Sequence, residues 1–272
     1  MVDHRNALEK LHNPESGAVH GVTRFADMSP EEFKKNFLGF REPKTSFKKN
    51  FASAPARPQD TTSVDWSGTY TTAVKDQGYC GSCWAFSATE QIESDSIRAG
   101  LLTTSDTLSP QQIVSCDQVD YGCNGGNTET AYQYVKVNGG LTTDAQYPYT
   151  SYWDVTGTCS TSFTTVVTVS GYSTLSGETE MESYVLSTGP LSVCLDASTW
   201  SSYQSGIVSA KACGTDVDHC VQAVGVNLDD GYWIVRNSWG TDWGLDGYIW
   251  LETDANACYI TYDPTYVTPT SV

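Results

Sequence analysis

The sequence predicts an α+β protein in which a helical subdomain precedes a sheet subdomain, with a cleft between them as the natural site. Helix patterns occupy the first part of the folded body, whereas strand patterns dominate the rest. A chain of 272 residues can bury a substantial core as one large domain or two modest ones. We expect a body over 63–272, with a helical subdomain at roughly 75–170 and a sheet subdomain at roughly 171–272 plus 63–74.

Residues 1–62, which we call the arm, differ from the body in composition. The arm contains no cysteine and ends in a linker, 52–58, that is rich in alanine and proline. Its one short helix signal is Ser29-Pro30-Glu31-Glu32-Phe33. A serine cap there precedes proline at the first helical position, and the second glutamate completes a capping box.

Charge is distributed unevenly between the arm and the body. The arm holds 10 Lys and Arg against 8 Asp and Glu, whereas the body holds 5 against 24. The acidic body disfavours binding to a phosphate backbone. A basic run within the arm is typical of a solvated or disordered segment, but it could also be held on the acidic body and released when carboxylates are protonated. Its members are Lys34, Lys35, Arg41, Lys44, Lys48, Lys49 and Arg57.

Helices are predicted at three places in the first part of the body. The first runs from Trp84 to a stop at Gly100, with an apolar face made of Ala85, Ala88, Ile92 and Ala99. The second begins at Ser109-Pro110 and leads into Cys116. The third covers Thr128 to Val137 and is stopped by Asn138-Gly139-Gly140.

Strands are predicted in the second part of the body, after a Tyr-Pro-Tyr turn. The segments are short, rich in β-branched and aromatic residues, and punctuated by glycine. They are Thr164 to Val169, Leu191 to Leu195, His219 to Val226, Tyr232 to Arg236, and Tyr248 to Leu251.

Cys83 is the candidate nucleophile, because it lies where the first body helix begins. Unpaired backbone N–H groups and the positive end of the helix dipole favour a thiolate there. The Cys83 N–H and the Gln77 side-chain amide could stabilise an oxyanion. The alternative is a structural or redox C-x-x-C pair formed with Cys80.

The cysteine and histidine counts limit which residues can act as a nucleophile, a base or metal ligands. If eight of the 9 cysteines pair, one thiol is left over, and a disulfide-rich chain belongs in an oxidising compartment. A zinc site would usually need a second C-x-x-C or a histidine pair, so we expect no metal or cofactor. His219 is the only histidine in the body, so any histidine base within that domain must be His219.

These residues resemble the papain-like cysteine proteases. The motif at Cys83 reads C-G-S-C-W, with His219 lying 136 residues and Asn237 154 residues downstream. Val64-Asp65-Trp66 resembles a mature N-terminus, and 21–27 resembles part of an inhibitory propeptide. The resemblance implies a papain-like fold with a helical left subdomain, a β-barrel-like right subdomain and the active-site cleft between them.

The resemblance also implies roles for individual residues. Cys83 and His219 would form a thiolate–imidazolium pair, and Asn237 would accept the other imidazole N–H to fix the tautomer. Trp239 would shield that bond, and Gln77 would complete the oxyanion hole. Further expected substrate contacts are Gly125, Gly126, Trp239 and Asp218.

Disulfide pairing follows from the same resemblance. The expected pairs are Cys80 with Cys123, Cys116 with Cys159, and Cys213 with Cys258. Cys194 and Cys220 remain, and we expect them to bond to each other in the wall of a substrate pocket. Asp263 would lie at the base of that pocket, where a carboxylate could accept arginine as well as apolar side chains.

The arm resembles a shortened propeptide of the cathepsin F and L kind, with Thr23 where many relatives have asparagine. The expected activity is endopeptidase, since the body has no second histidine of the kind that converts relatives to exopeptidases. Expected partners are peptide or protein substrates, the chain's own propeptide and cystatin-type inhibitors, with no nucleic acid or membrane and a monomeric state.

The predicted compartment is lysosomal, vacuolar or secreted, although no apolar signal segment follows Met1. Two other classes remain open. A catalytically dead relative would bind peptides without cleaving them, and a thioredoxin-like oxidoreductase would use Cys80 and Cys83.

Overall fold

The structure is a computed structural model that describes residues 17–43 and 49–272. Its helices are α1 (Pro30–Phe37), α2 (Cys83–Arg98), α3 (Pro110–Cys116), α4 (Thr128–Val137) and α5 (Glu178–Ser187). Its strands are β1 (Ala18–His20), β2 (Ser63–Asp65), β3 (Val167–Thr174), β4 (Leu191–Leu195), β5 (Tyr203–Val208), β6 (His219–Asn227), β7 (Tyr232–Arg236), β8 (Tyr248–Glu252) and β9 (Thr265–Ser271).

One mixed sheet organises the body, with strand order β1-β5-β8-β7-β6-β4-β9-β3 and β2 added beside β6. The centre of the sheet is β6, which pairs antiparallel with β4 and β7. Its register sets Cys194 opposite Cys220 and Leu195 opposite His219. His219 is the first residue of this buried strand, which begins where the sequence predicted.

Helix α2 packs against β6, β9 and α4, and it is buried on all sides from Cys83 to Ser96. The predicted apolar stripe was too narrow a description, because polar side chains of α2 are buried as well. Ala99 was wrongly placed on that stripe, since it is the exposed C-cap residue. Gly100 follows it with a φ of 72°, which is the left-handed conformation that ends many helices.

The buried apolar residues form two clusters. One surrounds α2, α3 and α4 and includes Trp84, Ile92 and Val135. The other lies against the sheet and includes the tryptophans Trp200, Trp233, Trp239 and Trp243. Strands β3 and β9 contribute to the helical cluster, so the two clusters do not divide the chain at one point.

Three features of the sequence prediction need correction. The predicted strand 164–169 is displaced, because Val166 and Val167 bond to Leu141 and β3 continues to Thr174. Helix α5 was not predicted, and it interrupts the expected order of helices before strands. It begins after Gly177 with no side-chain cap, so the sequence carries no start signal for it.

The structure contains the four predicted disulfides, Cys80–Cys123, Cys116–Cys159, Cys194–Cys220 and Cys213–Cys258. Cys83 is the free cysteine. A dithiol pair of Cys80 and Cys83 is therefore excluded, because Cys80 is bonded elsewhere.

The arm lies on the body at both of its described segments. Strand β1 pairs with β5, and α1 begins at the predicted capping box of Ser29 and Glu32. Phe33 and Phe37 of α1 are buried in the sheet cluster. Lys44 and Lys48 of the basic run lie outside the described residues. Among the helices of 17–43 and 49–272, none has both the length and the apolar character to cross a membrane.

Candidate active site

Cys83 is the first residue of α2, and its thiol is fully buried. The side chain of the cap residue, Ser82, bonds to Cys80 O and Tyr149 and not to the helix, so it does not cap the first N–H groups of α2. The Sγ accepts a hydrogen bond of 3.3 Å from the backbone N–H of Gly39 in the arm. The sulfur is therefore covered by the arm in this structure.

His219 is held by Asn237 and stacked beside Trp239. Its Nε2 lies 2.9 Å from Asn237 Oδ1, and the imidazole and indole centroids are 4.9 Å apart. The Asn237 Oδ1 also accepts the N–H of Ser238, which fixes the orientation of the amide. The buried Nδ1 of His219 has no hydrogen-bond partner among the residues that the structure describes. It is the nitrogen left for proton transfer.

Burial beneath the arm keeps the nucleophile and the base neutral. It raises the pKa of Cys83 to about 12, although the N–H groups of Cys220, Gly39 and Trp84 oppose the shift. It lowers the pKa of His219 to about 4, although the hydrogen bond that the imidazole donates to Asn237 opposes the shift. In the covered site, burial therefore opposes the thiolate–imidazolium pair that we expect of the open site.

Gln77 directs its buried side-chain amide toward the arm. The side-chain Nε2 donates to the carbonyl of Phe37 at 3.2 Å and to that of Cys80 at 2.8 Å. Ser238 donates to Gln77 Oε1 at 2.7 Å, which sets which end of the amide faces the cleft. The carbonyl oxygen of Phe37, in the arm, thus takes a hydrogen bond that the Gln77 amide could otherwise donate to an oxyanion.

The arm passes through the cleft as an extended segment that bonds to both walls. Gly126 donates to Gly39 O at 2.9 Å and accepts from Arg41 N at 2.8 Å. Phe40 donates to Asp218 O at 2.9 Å on the opposite wall. A Cβ atom on Gly39 would overlap the Gly81 carbonyl, so glycine permits this close approach. Gly126 and Asp218 thus bond to the backbone of the arm in this structure.

Aromatic side chains anchor the arm next to the cleft. The rings of Phe25, Phe33 and Phe37 lie 5.3, 5.3 and 6.3 Å from the Trp239 ring. Arg24 adds a 2.8 Å ion pair with Asp76. Sequence reasoning missed this aromatic cluster, although the i, i+4 spacing of Phe33 and Phe37 on a capped helix was an available signal.

The predicted pocket residues lie near the start of α4 and near the arm, each through its own contacts. Cys194 Sγ lies 4.0 Å from the hydroxyl of Thr128, so the Cys194–Cys220 disulfide borders the start of α4. Asp263 is buried and pairs with Lys49 of the arm at 2.7 Å. Glu129, which the sequence analysis did not single out, faces the same lysine at 3.9 Å.

No group of three or more His, Cys, Asp or Glu side chains within 17–43 and 49–272 is arranged to hold a metal ion. The chemistry argued for the site uses a thiol, an imidazole and two amides.

A free thiol at a helix start, an amide-held imidazole and a cleft between helices and a sheet define a cysteine peptidase. Comparison with known proteins identifies the family. The sequence model of the papain family cysteine proteases matches residues 61–268. The chain belongs to this family and is a cysteine endopeptidase with the two-subdomain α+β fold.

Relatives from distant organisms agree with this assignment. Cysteine proteinase COT44 of Brassica napus is 39% identical over 285 residues, covering 97% of this chain and 82% of the relative. Cysteine proteinase A of Leishmania mexicana is 37% identical over 254 residues, covering 90% and 71%.

Solved structures of proforms are similar over almost the whole chain. Digestive procathepsin L2 of Tenebrio molitor superposes with a TM-score of 0.84 at 33% identity, covering 98% of this chain and 89% of that one. A recombinant stem bromelain precursor gives 0.81 at 33% identity, covering 98% and 88%.

Proposed function

We propose that Cys83, His219, Asn237 and Gln77 are the catalytic residues of this endopeptidase. The observation that carries the assignment is the combination of a free thiol at the start of α2 with an imidazole whose Nε2 is fixed by Asn237. The same fixing leaves Nδ1 unpartnered among the described residues. A base with one nitrogen oriented and the other available can exchange a proton with the thiol.

The reaction follows from these positions. After the arm leaves, His219 takes the thiol proton, and the Cys83 sulfur attacks the carbonyl carbon of a peptide bond. The carbonyl oxygen becomes an oxyanion that accepts from the Gln77 amide and the Cys83 N–H. The imidazolium returns its proton to the leaving amine, which leaves an acyl thioester. His219 then activates water, which releases the acid and restores the thiol.

The substrate is a peptide or protein whose backbone bonds to Gly126, as the arm does, with Gly125 giving room for its approach. Trp239 shields the bond between imidazole and amide. The Cys194–Cys220 disulfide would wall the pocket for the second residue before the cleaved bond. Asp263 at its base would favour arginine there.

The arm, residues 1–62, is proposed to be an inhibitory propeptide of the body at 63–272. Its support is the segment around Gly39, which fills the cleft and covers Cys83. We expect a monomer that works in a lysosome, a vacuole or the medium and that cystatin-type inhibitors can block.

Labelling with a peptide epoxide tests the proposal. The chain with its arm removed should bind one equivalent at Cys83, located by peptide mapping, and should cleave a dipeptidyl reporter. Cys83→Ala should do neither while keeping its disulfides. Efficient labelling of the Cys83→Ala chain, or cleavage by it, would show that another residue is the nucleophile.

A further inference from the structure

A buried cluster of opposite charges lies beside the cleft, where the arm meets the body. Lys49 of the arm places its Nζ 2.7 Å from Asp263 Oδ1 and 3.9 Å from Glu129 Oε1. The two carboxylate side chains are only 2% and 4% exposed, respectively. The same ammonium lies 5.7 Å from the centre of the Tyr262 ring. One cation of the arm therefore faces two buried carboxylates of the body.

Glu129 is the less satisfied of the two carboxylates. Its Oε1 is buried and accepts no hydrogen bond from any residue that the structure describes. Glu129 is the second residue of α4, and the Asn127 cap bonds to its backbone N–H. That position holds the side chain toward a cavity of about 120 Å³, which Asn127, Tyr262 and Asp263 also line. The geometry is that of a binding site for a cation.

The cavity is within reach of a peptide that lies in the cleft. Phe40, the arm residue that pairs with Gly126, has its ring 5.6 Å from the ring of Tyr262. Tyr262 is a wall of the cavity. A residue that lies opposite Gly126, as Phe40 does, therefore directs its side chain to this wall, and a longer side chain at that place can extend to the carboxylates.

We propose that Glu129 is a specificity residue that acts with Asp263 to bind a lysine or arginine side chain of the substrate. In this proposal Lys49 takes the place of that side chain while the arm is bound. The inference rests on the proposed function, in which the arm leaves before substrate enters. Departure of Lys49 leaves two neighbouring carboxylates without a counter-charge, which is unfavourable until a cation returns.

Arginine fits this site better than lysine. A planar guanidinium can donate to two carboxylates at once, whereas an ammonium acts as a point charge. With Asp263 alone, the pocket would hold a cation through one carboxylate. With Glu129 it would hold the cation from two sides.

The test compares Arg-Arg and Phe-Arg dipeptidyl reporters on the enzyme with its arm removed. Glu129→Gln should lower kcat/KM for the Arg-Arg reporter about tenfold and leave that for Phe-Arg within about twofold. Asp263→Ala should likewise lower the ratio of kcat/KM for Arg-Arg to kcat/KM for Phe-Arg. The double variant should lower this ratio furthest. Asp246→Asn, which neutralises an exposed carboxylate, is the matched control and should not change the ratio.

The possible outcomes are distinguishable. A wild-type enzyme that cleaves neither reporter contradicts the proposed function. An unchanged ratio in Glu129→Gln, whether or not Asp263→Ala lowers it, overturns the two-carboxylate pocket. Titration of each variant with the epoxide counts active enzyme, so a folding loss does not imitate a specificity change. Glu129→Asp keeps the charge and should retain most of the wild-type ratio; if it behaves like Glu129→Gln, the charge of Glu129 is not what binds the substrate.

Discussion

Cys83 is subject to two opposing influences. Its place at the start of α2 favours the thiolate, because unpaired N–H groups and the helix dipole stabilise negative charge there. Burial beneath Gly39 has the opposite effect and raises the pKa of the thiol to about 12. The arm therefore blocks the cleft and also withholds the reactive ionic form of the nucleophile. Cys83 and His219 can form an ion pair only when the cleft is solvated, because burial disfavours both charges.

Gln77→Ala is the sharpest test of a single residue. The Gln77 amide already donates to a carbonyl of the arm, so we expect it to donate to the oxyanion. Loss of one such donor should lower kcat and kcat/KM together by about 100-fold, with little change in KM. Steady-state kinetics of the processed enzyme measure this. Gln118→Ala removes an exposed amide and should have no effect; a Gln77→Ala enzyme with a normal kcat would remove Gln77 from the oxyanion hole.

The catalytic candidates could be predicted from sequence because their chemistry is rare in this chain. Only one histidine lies in the body, and Cys83 is marked by its motif. Glu129 and Gly39 could not be identified in this way. Their roles depend on contacts with Lys49 and Cys83, which lie far away in the chain, and neither residue type is unusual at its position.

Helix α1 is the element that fixes the arm to the body. Its N-terminus is held by a complete capping box, and its phenylalanines pack on Trp239. Burial of these rings, more than the basic run, ties the arm down, since a buried phenylalanine contributes several kcal/mol.

Ser29→Ala should weaken the covered state through this element. Loss of the cap costs about 1 kcal/mol, which corresponds to a roughly fivefold larger uncovered population. The rate of epoxide labelling at Cys83 in the intact chain at pH 7 reports that population. Ser53→Ala, at an exposed linker serine, should label at the wild-type rate. Equal rates for Ser29→Ala and wild type would mean that α1 does not control access.

Elements with local signals were predicted well, and the others were not. The bounds of β4 and β7 match the prediction, because each is a compact run of strand-forming residues. Strands β5 and β9 were not predicted, since one contains Gly206 and the other Pro269, which usually argue against a strand. Hydrogen bonds to neighbouring strands stabilise β5 and β9 although their own sequences do not favour a strand.

At the scale of the whole molecule, charge holds the arm on the body through a few buried ion pairs, and exposed ion pairs add little. The ion pair of Lys34 with Asp216 is highly exposed, so it adds little to stability. Lys49 faces carboxylates that are almost fully buried, so loss of its ammonium would weaken the binding of the arm. The predicted attraction of a basic arm to an acidic body is therefore concentrated at the edge of the cleft.

Acid should uncover the site, and His219 gives the sign. Its pKa is about 4 when covered and 6.5 for a solvated imidazole. In a Cys83→Ala chain, which has no thiol proton for His219 to take, the uncovered form therefore binds more protons between these values. The covered state of that chain is fully favoured above about pH 6.5 and loses about 2 kcal/mol by pH 4.5, a roughly 50-fold change. Burial also raises the pKa of Asp218 and of Glu129 to about 7, and these carboxyls act in the opposite direction, so the imidazole titration described next is what assigns the effect to His219.

Amide hydrogen exchange of Arg41, whose N–H donates to Gly126 O, measures this change in the Cys83→Ala chain at pH 4.5 and 7, with each rate divided by the intrinsic exchange rate at the same pH. The ratio should rise by more than tenfold on acidification. An NMR titration of the imidazoles in the Cys83→Ala chain assigns the cause, because His219 should stay neutral to about pH 4 with the arm bound. After the arm is removed, it should titrate at least two units higher. A ratio that does not change with pH, or a His219 that titrates normally in the intact chain, would show that covering the cleft is not linked to protonation of the base.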